Sequence, residues 1–333
     1  MEFLELAMEA MSENALNIVE KNLKRNFLSM AGAAEKSFSH LREQAKLIAD
    51  AITRETGQRD ALIAILTSDE AARIYRSYLA EGAKSDLFDE VNKNEEPFFE
   101  RIAERFSKFY LCDAIASFSK EKTLISLAPL VCGEAAPPVQ DKEKTVAFLR
   151  NGQASRAFEC FAGSLGGVSA VYENNFLNAC ESVYTGQATY AIIPIYSTAD
   201  GRLGSFYRQI EKFELSIVLT CDIDSDDGEN TTTFALIYRA PLYFETRGET
   251  LYECKITFDN LDRIADISDA AAYYGVTIHS MEALPVMFSG RTNAFAIVFG
   301  LDHANVGGFF TYLALEYPQT ASVAMYRKII RHA

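Results

Sequence analysis

Apolar residues recur every three or four positions through the first 130 residues. Leu4, Met8 and Met11 open such a stripe, and Leu16, Val19 and Leu23 resume it. Phe38, Leu41, Ala45 and Ile48 predict a helix from Glu35 to Thr53, with Gly57 just beyond its end. Thr67-Ser68-Asp69-Glu70 has capping-box spacing ahead of Ile74, Tyr78 and Leu79. Asn94-Glu95-Glu96-Pro97 opens a further helix, with Pro97 in its first turn and Phe98, Ile102, Phe106 and Phe109 on one face. Residues 1–130 therefore read as an all-helical domain, and the aromatic stripe as its core face. No internal repeat is present.

Residues 131–143 (VCGEAAPPVQDKE) read as a linker, because Pro137-Pro138 cannot continue a helix. The period then changes. Thr145–Leu149 predicts a strand, Ser155–Ala162 and Phe176–Tyr184 predict helices, and Tyr190–Ile195 predicts a buried strand. A helix around Phe206–Phe213 and a strand over Leu215–Thr220 follow. Strands alternating with helices predict an α/β unit with parallel pairing. The fold class expected is thus multidomain, α plus α/β.

Composition narrows the function. The chain has 333 residues, 49% hydrophobic and 23% charged, which is the balance of a globular protein of two or three domains. A net charge of −14 gives little attraction for phosphate backbones or anionic membranes, so neither nucleic acid nor membrane is an expected partner. The only basic cluster, Lys21, Lys24 and Arg25, is short. No apolar run reaches the roughly 18 residues that would span a bilayer. The opening MEFLELAMEAM carries acids where a secretory signal carries Lys or Arg, which predicts a cytoplasmic location. Six dispersed cysteines without a CxxC pair predict reduced thiols. The four histidines lack ligand spacing, so neither a metal nor another cofactor is expected.

The ordered series from Ala147 to Asp222 resembles the first lobe of the prephenate dehydratase family. Ala147-Phe148-Leu149 with Gly152 and Ser155 is similar to the family's opening strand and glycine-serine turn. Phe176–Val183, Gly186-Gln187-Ala188 and Tyr190 are similar to its next helix and strand. Pro194-Ile195 followed by Gly201 stands where the family has its Pro-Ile-Glu-Asn loop, and Leu215–Val218 resembles the strand after the next helix. Asn230–Phe234 matches the position of the Thr-Arg-Phe motif. Residues 245–333 resemble the ACT regulatory domain: Gly275–Ile278 and Glu282-Ala283-Leu284-Pro285 fit its second strand and its Glu-Ser-Arg-Pro motif. The alternations of Tyr252–Phe258 and Ala294–Phe299 suit a ferredoxin-like βαββαβ module. The resemblance implies a truncated periplasmic-binding-protein-like α/β lobe over 144–240 followed by that module.

The departures bear on activity. Only seven polar residues, 224–230, stand where the family inserts its entire second lobe. Prephenate is a dianion that loses carbon dioxide and hydroxide, so its catalyst needs fixed donors for two carboxylates, a placed acid and a closed site. The resemblance makes Thr232 the acid, with Phe234 and Ser155 beside it. Thr233 replaces the motif's arginine, Tyr196 and Ser197 replace Glu-Asn, and Leu284 replaces the ACT arginine. Asp262 stands for a glycine that would admit a ligand to the backbone.

Two functions follow from the resemblance. The first is a relative degenerate in catalysis, acting in aromatic amino acid metabolism as a small-molecule-sensing or assembly protein. Its ligand would be a small carboxylate or an aromatic amino acid, and it would form a homo-oligomer through the ACT module. The alternative is an active carbon-oxygen lyase in which the helical domain or a second subunit replaces the lost lobe. The ligand-binding candidates are Gly152, Ser197, Thr198, Gly201, Asp262, Ile264, His279 and Glu282. A chorismate mutase reading of the helical domain rests on Arg42, Arg54, Arg59 and Arg73, although Gly57 interrupts the helix that would connect them.

Overall fold

The computed structural model describes residues 21, 25, 36, 38–82, 97–119, 123–135, 144–244, 248–258, 260–261, 263–284 and 293–329. The Leu4–Leu23 stripe, residues 94–96, most of the 131–143 linker, Asp262 and Pro285 lie outside them. Helix α1 covers 38–56, followed by α2 (Ala61–Thr67), α3 (Asp69–Gly82), α4 (Pro97–Ser117) and α5 (Leu124–Cys132). The chain then runs β1 (Lys144–Leu149), α6 (Gly152–Leu165), β2 (Val168–Glu173), α7 (Phe176–Tyr184), β3 (Tyr190–Ser197) and β4 (Gly201–Arg202). Next come α8 (Gly204–Lys212), β5 (Ser216–Asp224), β6 (Thr231–Tyr238) and β7 (Glu249–Phe258). The last elements are α9 (Arg263–Tyr274), β8 (Thr277–Ala283), β9 (Asn293–Gly300), α10 (Val306–Glu316) and β10 (Ala321–Ile329).

Asparagine starts three of these helices. Asn151, Asn175 and Asn305 accept from the backbone N–H three residues on, at 2.8, 2.8 and 3.1 Å, satisfying donors that no helical carbonyl reaches. Near the other end of the chain, Ser68 rather than Thr67 caps α3, accepting from Glu70 N–H, because Thr67 still belongs to α2 and donates to Ile63 O. The helix before the linker continues to Cys132, and Gly133 closes it by donating to Pro129 O at 3.0 Å. Phe106 is 53% exposed, while Phe109, in the same predicted stripe, is 1% exposed.

All ten strands join one sheet, in the order β2-β1-β3-β6-β5-β10-β7-β9-β8, with β4 paired to β3. The sheet is mixed. β1 is parallel to β2 and β3, as the strand-helix alternation predicts, but β6 is antiparallel to both β3 and β5. The short 225–230 turn forces that reversal, since a parallel crossover needs a dozen or more residues. Strand β2, half-buried at the sheet edge, lacks the apolar alternation that would mark it in the sequence.

The sheet has two halves. Residues 249–329 form β-α-β-β-α-β with the strand order β10-β7-β9-β8, every pair antiparallel. That half meets the first along a single short parallel seam, Arg327↔Leu219, Lys328↔Thr220 and Ile329↔Cys221. Strand alternation divides the core accordingly. α6 covers Phe148, Leu219, Cys221, Phe234 and Leu236 on one face of the first half. Helices α7 and α8 cover the opposite face, and their core runs across the seam to Leu251, Ala324 and Tyr326. The other face of the second half carries α9 and α10, and the N-terminal helices pack on these in one shared core. Each fully buried Phe or Ile there contributes about 1.5–3 kcal/mol of transfer free energy.

Candidate functional site

A cavity of about 230 Å³ opens where the two halves of the sheet meet. Its walls come from β3, β4, β5 and β6 on one side and from β7, β8, β9 and β10 on the other. Ile195, Leu251, Ala296 and Val298 make it partly apolar, Arg202, Lys328, Asp222 and Glu282 bring charge of both signs, and His279 adds an imidazole.

The charges are organised by the strands beneath them. Glu253, on the middle of β7, has no exposed surface. Arg202 forms an ion pair with it, and Tyr207 donates to its Oε2 at 3.0 Å; Tyr326 lies 3.4 Å from the same atom. Arg202 also lies flat over the Tyr207 ring, 3.4 Å from its centroid, so the cation is held by charge and by the π face together. Burial raises the Glu253 carboxyl above the usual carboxylate range although Arg202 opposes the shift. Burial works against the Arg202 cation too, but Glu253 together with Tyr207 and Tyr326 outweighs it and raises the guanidinium pKa. Burial likewise pushes the Tyr207 and Tyr326 hydroxyls well up, with Glu253 adding to the effect. Both phenols therefore stay protonated and donate.

On β5, Asp222 accepts from Thr233 Oγ1 at 2.8 Å and pairs with Lys328 Nζ at 2.7 Å, spanning the seam. At the rim His279 Nε2 lies 2.6 Å from Glu249 Oε1. Two of the lining residues carry a fully buried polar atom without a hydrogen-bond partner: Arg202 Nη2 and Thr220 Oγ1. Thr220 is 1% exposed.

The structure sorts the residues singled out from the sequence into separate places. Thr198, His279 and Glu282 line the cavity, and a Cβ on Gly201 (φ +70°) would stand 4.0 Å from Glu282 Oε1. Ser197 is buried and accepts from Ala199 N–H just behind Thr198. Thr231 and Thr233 line the cavity, so Thr232 between them faces the other side of the sheet, where Phe234 is buried under α6. Ser155, on α6, donates to Asn151 O at 2.8 Å, and Gly152 opens the same helix. Ile264 belongs to α9, on the sheet face away from the cavity. The candidates Thr232, Phe234 and Ser155 are thus on the α6 side, and Thr198, Gly201, His279 and Glu282 on the cavity side. Arg42, Arg54 and Arg59 are exposed, and Arg73 pairs with Glu70 along its own helix.

Sequence inspection does not point to Arg202, Thr220, Asp222 or Lys328. One signal was legible: Glu253 interrupts the apolar run Leu251-Tyr252-Glu253-Cys254, and a carboxylate in a central strand calls for a buried partner. Among the described residues, no cluster of three or more metal-ligating side chains occurs, and no helix is long and apolar enough to cross a membrane.

No family profile matches the chain. No curated protein matches it. Among solved structures it is similar to prephenate dehydratase from Streptococcus mutans, with a TM-score of 0.46 and 13% identity over 56% of this chain and 100% of that one. It is similar to GqqA, described as a novel type of quorum quenching acylase, with a TM-score of 0.43 and 16% identity over 56% and 96%. It is also similar to prephenate dehydratase from Arthrobacter aurescens, solved in complex with L-Phe, with a TM-score of 0.43 and 14% identity over 55% and 90%.

Proposed function

We propose that this protein is a relative of prephenate dehydratase that does not catalyse the dehydratase reaction and instead binds a small carboxylate, sensing a metabolite of aromatic amino acid metabolism. The observation that carries the reading is the cavity at the seam, with apolar and charged side chains together on walls drawn from both halves of the sheet. A ligand there touches the lobe and the βαββαβ module at once, and so couples its own concentration to their relative stability.

Two further features support loss of catalysis. The chain passes from β5 to β6 through residues 225–230, in the place where the resemblance requires a second lobe to close over a dianion. Thr233, at the position of the motif's arginine, donates its hydroxyl to Asp222, and a neutral hydroxyl supplies no cation there.

The test is direct. Purified protein is incubated with prephenate at neutral pH while phenylpyruvate is followed, and a melting curve is recorded with and without millimolar aromatic amino acids. No turnover above the uncatalysed background is expected, together with a rise in melting temperature. Turnover that disappears in Thr232→Ala would overturn the proposal in favour of an active lyase.

A further inference from the structure

We infer that a second cavity, separate from the one at the seam, binds a short aliphatic monocarboxylate, its carboxylate on Arg327 and Thr250 and its tail among apolar walls. This cavity, of about 90 Å³, lies where three parts of the chain meet. Leu124 and Ala128 come from α5, Leu242 and Phe244 from the segment after β6, and Met325 and Arg327 from β10. Arg327 and Lys328 are successive residues of one strand and so open on opposite faces of the sheet. Lys328 lines the seam cavity and Arg327 lines this one. The site goes beyond the binding function proposed above and does not depend on it.

The walls set the chemistry of the ligand. Ala128, Leu242 and Met325 are buried, and a space enclosed by such side chains takes hydrocarbon in preference to water. An apolar cavity of about 150 Å³ accommodates benzene, so this smaller one suits a tail of about three to five carbons. One cation on the wall has no counter-charge. Among the described residues Arg327 makes no ion pair, and its hydrogen bond runs from Nη1 to Gly248 O at 2.9 Å. Thr250 stands directly opposite Arg327 in the β7–β10 register, so both side chains share this face, and no hydrogen bond engages the Thr250 hydroxyl. Both groups can be reached. Among the described residues, the side-chain polar atoms that are sealed from solvent and unpartnered are Arg202 Nη2, Thr220 Oγ1 and Tyr238 OH. The unbonded nitrogens of Arg327 and the Thr250 oxygen therefore keep accessible surface. One carboxylate accepts from both and matches the single charge. A diacid would carry its second charge into the apolar end, and an amine would meet Arg327 with like charge.

The experiment is calorimetric titration of the full chain with pentanoate. Pentanamide lacks the charge, acetate lacks the tail, glutarate carries a second carboxylate at the far end, and pentylamine reverses the charge. Pentanoate is expected to bind about tenfold or more tighter than each of them. Arg327→Met keeps an apolar stem and should weaken pentanoate about tenfold or more. Ala128→Leu should abolish binding by filling the cavity. Thr250→Val is nearly isosteric, suits a strand and deprives no other group of a partner, and it should weaken binding several-fold. These last two variants decide the matter if Arg327→Met, which also loses the bond to Gly248, does not fold. Pentanamide or glutarate binding as tightly as pentanoate would overturn the inference. So would wild-type affinity in either Thr250→Val or Ala128→Leu, or no binding of pentanoate at millimolar concentration.

Discussion

Arg202, on a two-residue strand in the first half of the sheet, forms its ion pair with Glu253, on a strand of the second half, where no solvent reaches the carboxylate. Each residue is the other's reason for being buried. Removing one partner strands a charge, whereas removing both charges does not. Arg202→Met should therefore cost about 3–5 kcal/mol, and adding Glu253→Gln should recover a large part, since Gln still accepts from Tyr207 and Tyr326. Urea unfolding midpoints of the single and double variants check this. A double variant as unstable as the single one would show that the pair is not coupled.

Gly248 leads into β7 with a φ of +151°, and a Cβ there would lie 2.2 Å from Lys328 O. Arg327 Nη1 donates to Gly248 O at 2.9 Å, so the close approach is fixed on both sides. Gly248→Ala should cost more than about 2 kcal/mol, from strain and from displacement of β10. Gly57 also has a positive φ, +70°, but open space around it, and Gly57→Ala should cost about 1 kcal/mol, from the backbone conformation alone. Equal losses in the two variants would remove the steric argument.

Alkali should unfold the protein through its buried acids. Burial pushes Cys132, Cys180 and Tyr190 up to about 12, and Tyr207, Tyr252, Tyr274 and Tyr326 well above the ordinary phenol value. A group whose folded pKa is raised stabilises the fold fully below its unfolded pKa and loses that contribution as pH rises toward the folded value. Stability should therefore hold to about pH 9 and fall from there upward, where unfolded thiols and phenols ionise first. Tyrosinate absorbance followed against pH should show an early exposed class and a late class that appears together with loss of structure. A single smooth titration with ordinary pKa would count against this burial.

Phe109 joins the N-terminal helices to the C-terminal module. Its ring stands 5.2 Å from Tyr312 and 5.5 Å from Tyr273, and its backbone carbonyl accepts from Tyr274 at 2.7 Å. Because the core under it is shared, Phe109→Ala should cost about 3–5 kcal/mol and lower one common transition. Scanning calorimetry that resolved a separate, unaffected transition for the C-terminal half would refute the shared core.

Much of the order of elements could be read along the chain. Helix α7 falls on the predicted Phe176–Tyr184, and β1, β3 and β5 fall within a few residues of their predicted limits, because each has strong local periodicity and a cap or turn residue at its end. The turn at 225–230 was legible from its polar residues alone. Strand β2 was not, since it is half-buried at an edge and its side chains alternate too weakly to mark a face.

The sequence by itself determined where most of the helices and strands form, that the chain is acidic and globular, and which short segments resemble prephenate dehydratase. It could not decide that two sheets become one, because the seam consists of three backbone pairings between residues more than a hundred positions apart, and backbone hydrogen bonds carry no residue signature. Nor could it unite Arg202, Thr220, Glu282 and Lys328. They stand on four different strands, and only the seam, closed by burial of the apolar faces on either side, brings them onto one cavity.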